Sequence, residues 1–386
     1  MAMRHRSTSR NRSEFRACQW RRYTRCVHVR SLRHLHLRNL VTERLAFEDG
    51  VTALVGPNAA GKSNVLEAIV LGTTGTAAAG RVTESLRFGV DQGFVRVELE
   101  TAGGEHVVEV GLAPGRKVIR LDGQVVRAID LATLGGVVLV APEDVDVILG
   151  PPARRRAFLD HVVGRLSLRY ALMLREYQRV LEQRNALLRG AADSALFGPW
   201  DERFVALGED VAALRRRAVS SLAQHAAAAY DAVAGEPQGF DVALDAVSDH
   251  SDLAAALAAT RSAERARGAT LVGPHRDELR ITLDGRLVQT FGSRGEARTA
   301  ALALRVAERT LLEARHGRAP LLLIDDVHAE LDERRRAFLM DLAALAPQAI
   351  VTGTEAPPAA ARVWHIADGR VETAHGAPVV AHDGGR

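Results

Sequence analysis

The tightest constraint on this chain is one short, punctuated stretch. An apolar run, Val51-Thr52-Ala53-Leu54-Val55, gives way to Gly56-Pro57-Asn58-Ala59-Ala60-Gly61-Lys62-Ser63, and a helical pattern follows to about residue 71. The run suits a buried strand, and the order strand, glycine-bounded loop, helix places the chain in the α/β class. Such a loop turns its backbone N–H groups inward on an anion, at the positive end of the following helix. Lys62 is suited to reach the β- and γ-phosphates of a nucleotide as a compact charge, where a planar guanidinium fits poorly. Ser63 offers its hydroxyl to Mg²⁺. Only Lys62 and Lys117 are lysines among the 51 basic residues. Where arginine is used almost everywhere, a surviving lysine marks a place arginine does not serve.

A phosphate loop needs an acidic partner for the metal, at the end of a second buried strand. Leu321-Leu322-Leu323-Ile324-Asp325-Asp326 meets that need. Four apolar residues read as a strand buried on both faces, with two carboxylates emerging at its end. Asp325 is the expected Mg²⁺ holder, directly or through water. Asp326 is placed to orient or activate an attacking water.

The 386 residues allow two or three domains, or one large domain with an insertion. A hydrophobic share of 47% with 25% charged excludes a fully disordered chain. No apolar run approaches the ~18 residues a membrane span needs. Two cysteines, Cys18 and Cys26, make no disulfide framework, so a reducing compartment is the simple reading. The net charge of +4 is uneven: residues 1–26 hold eight arginines against one glutamate, +7, which leaves −3 for the rest. Three readings fit this basic extension: a DNA-binding arm, a targeting peptide, or upstream sequence translated from a wrongly chosen start. The last is favoured because Val27 opens a strand-like run and GUG is a common alternative start. The extension is expected to be disordered, and the overall charge is no argument for a nucleic-acid partner.

Alternation and apolar runs predict strands within 27–55, and a Gly-, Ala- and Thr-rich loop over 72–85. Strands joined by hairpin turns at Gly103-Gly104, Pro114-Gly115 and Asp122-Gly123 fill 93–140. Beyond Pro151-Pro152 the pattern is helical. Leu159, Val163, Leu166, Tyr170, Met173, Tyr177, Val180 and Leu187 form one seam, broken only by Arg184, in a helix that stops near Gly190. A second helix spans about 200–234, and the two form an antiparallel hairpin of roughly 30 residues per arm, about 45 Å long. A bundle packed on a sheet is preferred to a free coiled coil. Strands are expected at 270–272 and 279–282, a helix at 296–315, a strand at 320–324, a helix at 333–344, a strand at 349–352 and a strand pair across 363–371. The division expected is a first lobe of 27–140 and 270–372, a helical lobe of 141–269, and a frayed tail of 373–386.

A third constellation narrows the class. Ser293-Arg294-Gly295-Glu296 opens a helix 32 residues before Asp325, and Ala329-Glu330-Leu331-Asp332 follows the acidic pair. Alone, a serine with glutamate three residues on is also a capping box. In this order the stretches resemble the signature motif and D-loop of ABC-type ATPases. About 230 residues separate loop and signature, far more than in transporter ATPases and far fewer than in chromosome-maintenance ATPases. With its short helical hairpin the chain resembles the RecF family of bacterial recombination-repair ATPases. Pro142-Glu143-Asp144 through Gly150-Pro151 to Arg155-Arg156-Ala157-Phe158-Leu159-Asp160, and Gly273-Pro274-His275-Arg276-Asp277-Glu278-Leu279, are similar to that family as well, over about residues 27–370.

The resemblance implies an ABC-type head, with a mixed β-sheet lobe holding the phosphate loop and an inserted helical lobe. It implies ATP and Mg²⁺, held by residues 56–64 including Asn64, with Arg38-Asn39-Leu40 near adenine and ribose. Ser293 and Gly295 would contact the γ-phosphate held by the opposite protomer, and Glu296 completes that contact set. It implies an ATP-dependent homodimer that binds DNA at gapped or single-strand/double-strand junctions. With RecR and RecO it would promote RecA loading, as a cytoplasmic, nucleoid-associated protein. The chain departs from the transporter pattern at Ala141-Pro142-Glu143-Asp144 and at Thr352-Gly353-Thr354, where a glutamine and a switch histidine would stand. Thr352 or Thr354 is then the candidate γ-phosphate sensor, and Asp326 in place of a longer glutamate predicts slow hydrolysis. His275-Arg276-Asp277 is open between ion pairing and site chemistry. Arg154-Arg155-Arg156, Arg215-Arg216-Arg217 and Arg334-Arg335-Arg336 read as solvated helix faces, of which at least one must serve if DNA binds. The rivals from other classes are a small-molecule kinase or transporter subunit, and a purely structural chromosome-bridging protein.

Overall fold

The computed structural model of the chain describes residues 26–77, 82–190, 193–247, 252–326 and 332–375. Residues 1–25 of the basic extension, 376–386 of the tail and 329–331 of the D-loop-like stretch lie outside them. In chain order the principal elements begin with β1 His28–Leu35, β2 Arg44–Ala46, β3 Gly50–Val55, α1 Lys62–Thr74, β4 Gly93–Thr101, β5 Gly104–Ala113, β6 Arg116–Leu121, β7 Gln124–Val126 and β8 Val137–Val140. Helices α2 Pro152–Leu166, α3 Leu168–Arg189 and α4 Gly198–Ala234 follow, then β9 Phe240–Asp245, α5 Leu253–Arg267, β10 Glu278–Leu283, β11 Arg286–Leu287 and α6 Arg294–His316. The chain closes with β12 Leu321–Ile324, α7 Glu333–Leu345, β13 Gln348–Gly353, β14 Arg362–Ala367 and β15 Arg370–His375.

Two compact units result, Met1–Glu143 with Leu312–Arg386, and Asp144–Leu311. The first contains an antiparallel sheet ordered β2-β1-β4-β5-β6-β7 and a mixed sheet ordered β15-β14-β3-β13-β12-β8, parallel except at the β15 edge. Helix α1 lies between them. Its Val65, Leu66, Ile69 and Leu71 join Val95, Val97, Val108 and Val110 of one sheet and Leu54, Leu323 and Ile350 of the other in a single core. The approach is close at Gly72, where a Cβ would come within 2.2 Å of Val97 Cγ2. Strands β12 and β13 are buried along their whole length. That is what parallel strands covered on both faces require.

The second unit packs helices on a three-stranded sheet, β11-β10-β9. Tyr230 of α4 stacks on Phe240 of β9 at 4.5 Å and 8°. Because β10 pairs with β9 along 278–283, this unit runs on to Leu311, beyond residue 269 where the sequence had placed the return to the first lobe. Three local expectations need correction. The first long helix is broken at Ser167, whose extended backbone (φ −146°, ψ 107°) and hydroxyl, accepting from the Tyr170 N–H, start α3 afresh. Residues 270–272 form no strand, because their N–H groups go to side chains: Thr270 to Asn185 Oδ1 at 2.8 Å and Leu271 to Glu264 Oε1 at 2.9 Å. Finally, Arg184 does not interrupt the buried seam of α3, which runs Tyr170, Tyr177, Val180, Arg184, Leu188. Its guanidinium bonds Asp201 (2.8 Å), Thr270 (2.7 Å) and Glu264 (2.5 Å). Strand β9 and helix α5 are additions the sequence reading lacked.

Candidate functional site

Strands β3, β13 and β12 are parallel neighbours, with Val55 opposite Gly353 and Ile324 opposite Val351. Their carboxyl ends therefore bring Gly56, Thr352 and Asp325 to one edge, the place where open α/β sheets bind ligands. The loop after β3 takes left-handed backbone at Ala59 (φ 64°) and Gly61 (φ 108°). Gly61 has no side chain to cap α1 and no acidic residue occupies the helix's first turn. The positive helix end is thus left for an anion. A cleft of about 250 Å³ results, lined by Asn58, Ala59, Gly61, Lys62, Ser63, Asn64, Asp325, Asp326 and Thr352.

Lys62 Nζ donates to the carbonyls of Gly56 and Pro57, both at 2.8 Å, which folds the ammonium back over its own loop. Burial pushes this ammonium below its ordinary pKa, with Asp326 and Asp325 pulling the other way. Asp325 Oδ1 accepts from Ser63 Oγ at 2.9 Å and from Thr352 Oγ1 at 2.6 Å. Thr352 Oγ1 in turn accepts the Asp326 N–H at 2.8 Å, and Asp326 itself has left-handed backbone (φ 45°). A hydroxyl and a carboxylate, side by side beside a lysine, are hard oxygen donors of the kind Mg²⁺ takes. Ser63 and Asp325 fit that ion.

Arg38 and Asn39 do not line the cleft. Arg38 bonds Glu67 at 3.2 Å, while Asn39 spans the loop, donating to the Ala59 carbonyl at 3.0 Å and accepting from Asn64 Nδ2 at 2.7 Å. Gly56, Pro57 and Ala60 form its frame. Ser293 and Glu296 make a reciprocal capping box at the start of α6: the Ser293 N–H donates to Glu296 Oε2 at 2.6 Å and the Glu296 N–H to Ser293 Oγ at 3.2 Å. These two, and Gly295, belong to the second unit and the cleft to the first. Asp332, the last of the D-loop-like stretch, caps α7 through the Arg335 N–H. Thr354 is exposed, whereas Thr352 is buried at the carboxylate.

A family model, the RecF/RecN/SMC N terminal domain, matches residues 28–359. Over 344 residues the chain is 45% identical to the DNA replication and repair protein RecF of Deinococcus deserti, covering 89% of this chain and 95% of that one. The chain belongs to the RecF family. It is 43% identical over the same shares to RecF of Deinococcus radiodurans. The solved RecF-ATP structure of the recombination mediator in the RecFOR pathway superimposes with a TM-score of 0.83 at 26% identity, over 90% of this chain and 97% of that one. The fold is that of an ABC-type ATPase head, as RecF and its relatives have it.

Of the RecF-like stretches outside the cleft, residues 144–160 and 273–279 lie in the second unit. His275 Nδ1 lies 2.8 Å from the Tyr177 hydroxyl, and Asp277 is fully buried near Arg215. Arg155 and Arg215 are not solvated: Arg155 bonds Glu278, Ile148 and Gly150, and Arg215 bonds Asp160, Tyr170 and Pro274. Arg154, Arg216 and Arg217 remain exposed. No described helix is long and apolar enough to cross a membrane. The sequence reading missed the hydroxyl contacts on Asp325 and the inward turn of Arg155 and Arg215. A lone arginine in a helical seam, Arg184, was the one available signal that arginines here point inward.

Proposed function

We propose that this chain is an ATP-driven DNA clamp of recombinational repair, and the cleft formed by Lys62, Ser63, Asp325 and Thr352 is the observation that carries the reading. The phosphates of ATP would lie on the loop N–H groups and Lys62, with Ser63 and Asp325 holding Mg²⁺. When bound, the ion neutralises charge on the β- and γ-phosphate oxygens. Asp326 would orient a water whose oxygen bonds the γ-phosphorus as the bond from that phosphorus to the β-phosphate's bridging oxygen breaks, giving ADP and phosphate. The water's proton leaves by way of the Asp326 carboxylate to solvent. The short Asp326 side chain, held by backbone with φ 45°, makes that alignment poor and turnover slow. Thr352 couples Asp325 and Asp326 and is the better sensor candidate than Thr354.

ATP then joins two copies, each nucleotide gripped by Lys62 and Ser63 of one chain and by Ser293 and Gly295 of the other, and hydrolysis reopens the pair. Binding energy is used to switch a dimer, so a low rate suffices. The dimer binds gapped or single-strand/double-strand junction DNA through exposed arginines such as Arg154, Arg216 and Arg217, acting with RecR and RecO to load RecA. A small-molecule kinase would use the cleft without Ser293. Gel-shift titration of gapped DNA with and without ATP separates the two: Ser293→Arg abolishes ATP-dependent DNA binding if the clamp is right, and unchanged binding would support the kinase.

A further inference from the structure

Three turns in this chain share a sequence and a backbone. Asp122-Gly123 (φ 51°, 82°), Asp284-Gly285 (φ 47°, 76°) and Asp368-Gly369 (φ 46°, 75°) are the same Asp-Gly hairpin turn, with both residues left-handed. Their surroundings differ. A Cβ added at Gly123 or Gly285 would meet nothing within 4 Å, whereas at Gly369 it would lie 1.9 Å from the Asn39 carbonyl oxygen and 3.1 Å from Leu40 Cα.

The packed turn joins β14 to β15 and touches the phosphate loop itself. The Gly369 N–H donates to the Ala60 carbonyl at 2.8 Å, and the Gly369 carbonyl accepts from the N–H groups of Val41 (2.8 Å) and Thr42 (3.2 Å). Thr42 Oγ1 accepts the Val371 N–H at 2.9 Å. The segment thus clamped carries Asn39, whose carboxamide bonds the Ala59 carbonyl and Asn64. Below it, the Ile366 carbonyl of β14 stands 2.0 Å from where a Cβ of Gly56 would be. We propose that Asn39 and the Asp368-Gly369 turn, the latter from the far end of the chain, are positioning elements that set the phosphate loop from behind. The proposal rests on the nucleotide reading of the cleft.

The physical reason lies in the planar trans peptide, whose C=O and N–H point in opposite directions. Tying the Ala60 carbonyl to Gly369 fixes the direction of the Gly61 N–H, and Gly61 lines the cleft. Anion binding by such a loop depends on several N–H groups converging on one point. Misplacing reacting groups by about 1 Å is expensive at such sites. The side chain of Gly369→Ala would drive the Asn39 carbonyl away and shift the loop, while the same change at the other two turns adds only backbone strain.

The test compares Gly369→Ala with Gly123→Ala and Gly285→Ala in the full chain, by calorimetric titration of Mg-ATP and Mg-ADP alongside thermal melts. All three should melt lower than wild type, Gly123→Ala and Gly285→Ala through backbone strain alone and Gly369→Ala by more. Gly369→Ala alone should bind both nucleotides roughly tenfold or more weakly, and its single-turnover hydrolysis at saturating ATP should fall as well, because the loop that holds the phosphates is displaced. Equal nucleotide affinity in the three variants would overturn the proposal. A wild-type chain that binds neither nucleotide would overturn the nucleotide reading and this inference together. If Gly369→Ala does not fold, Asn39→Ala decides, since it removes the bonds of the Asn39 carboxamide to the Ala59 carbonyl and to Asn64: weaker nucleotide binding in a folded chain supports the brace, and unchanged binding rejects it.

Discussion

Asp325 holds two hydroxyls on one carboxylate oxygen, Ser63 from the phosphate loop and Thr352 from the neighbouring strand. Asp325→Asn keeps the shape and loses the charge, so hydrolysis in Mg²⁺ should fall by roughly 100-fold or more, while ATP binding in EDTA, which depends on Lys62, stays close to wild type. Stopped assays with and without the ion check both arms. A second residue-scale expectation concerns pH. Burial, aided by Arg276 against the Thr270 carbonyl, pushes His275 down from 6.5 to about 4. Its folded pKa lies below its unfolded one, so the unfolded chain takes up the proton first, and the neutral ring's contribution to stability is lost as pH falls from 6.5 towards 4. Urea midpoints should decline across that window in wild type and more shallowly in His275→Asn. At this scale Lys62 and Asp325 were legible because the loop and the strand-ending carboxylates constrain their neighbours in sequence. Gly369 was not, since its Asp-Gly turn reads like two others and only packing separates them.

Helix α3 shows where element-level reading succeeds and where it stops. The apolar spacing located the buried face, but it treated Arg184 as a gap and ran straight through Ser167. A capping serine inside a continuing seam leaves the period intact, so periodicity cannot register the break. The buried guanidinium is bound by Glu264, itself fully buried, and by Asp201. Arg184→Leu leaves that carboxylate without its partner and should cost about 3–5 kcal/mol in urea unfolding. Adding Glu264→Leu should return part of the loss. At the other helix–sheet contact, Gly72→Ala forces a methyl against Val97 and should cost about 1–3 kcal/mol by the same measurement. Strand β9 was legible, since Phe240, Val242 and Leu244 alternate with Asp241, Ala243 and Asp245, and it was overlooked as a short segment beyond a long helix.

For the whole molecule, the order of loop, helical insertion, signature and acidic strand was enough to indicate an ABC-type head of the RecF family. The extent of the second unit was not, because β10 follows the helices in sequence yet completes a sheet with β9. The central claim concerns two such molecules: ATP joins them through Lys62 and Ser63 of one and Ser293 of the other. Sedimentation velocity on wild type, Lys62→Arg and Ser293→Arg, each with ATP, with ADP and without nucleotide, tests it most directly. The expected result is a dimer for wild type in ATP alone, and monomers in every other case. A wild-type monomer in ATP, or a variant that dimerises normally, would contradict it.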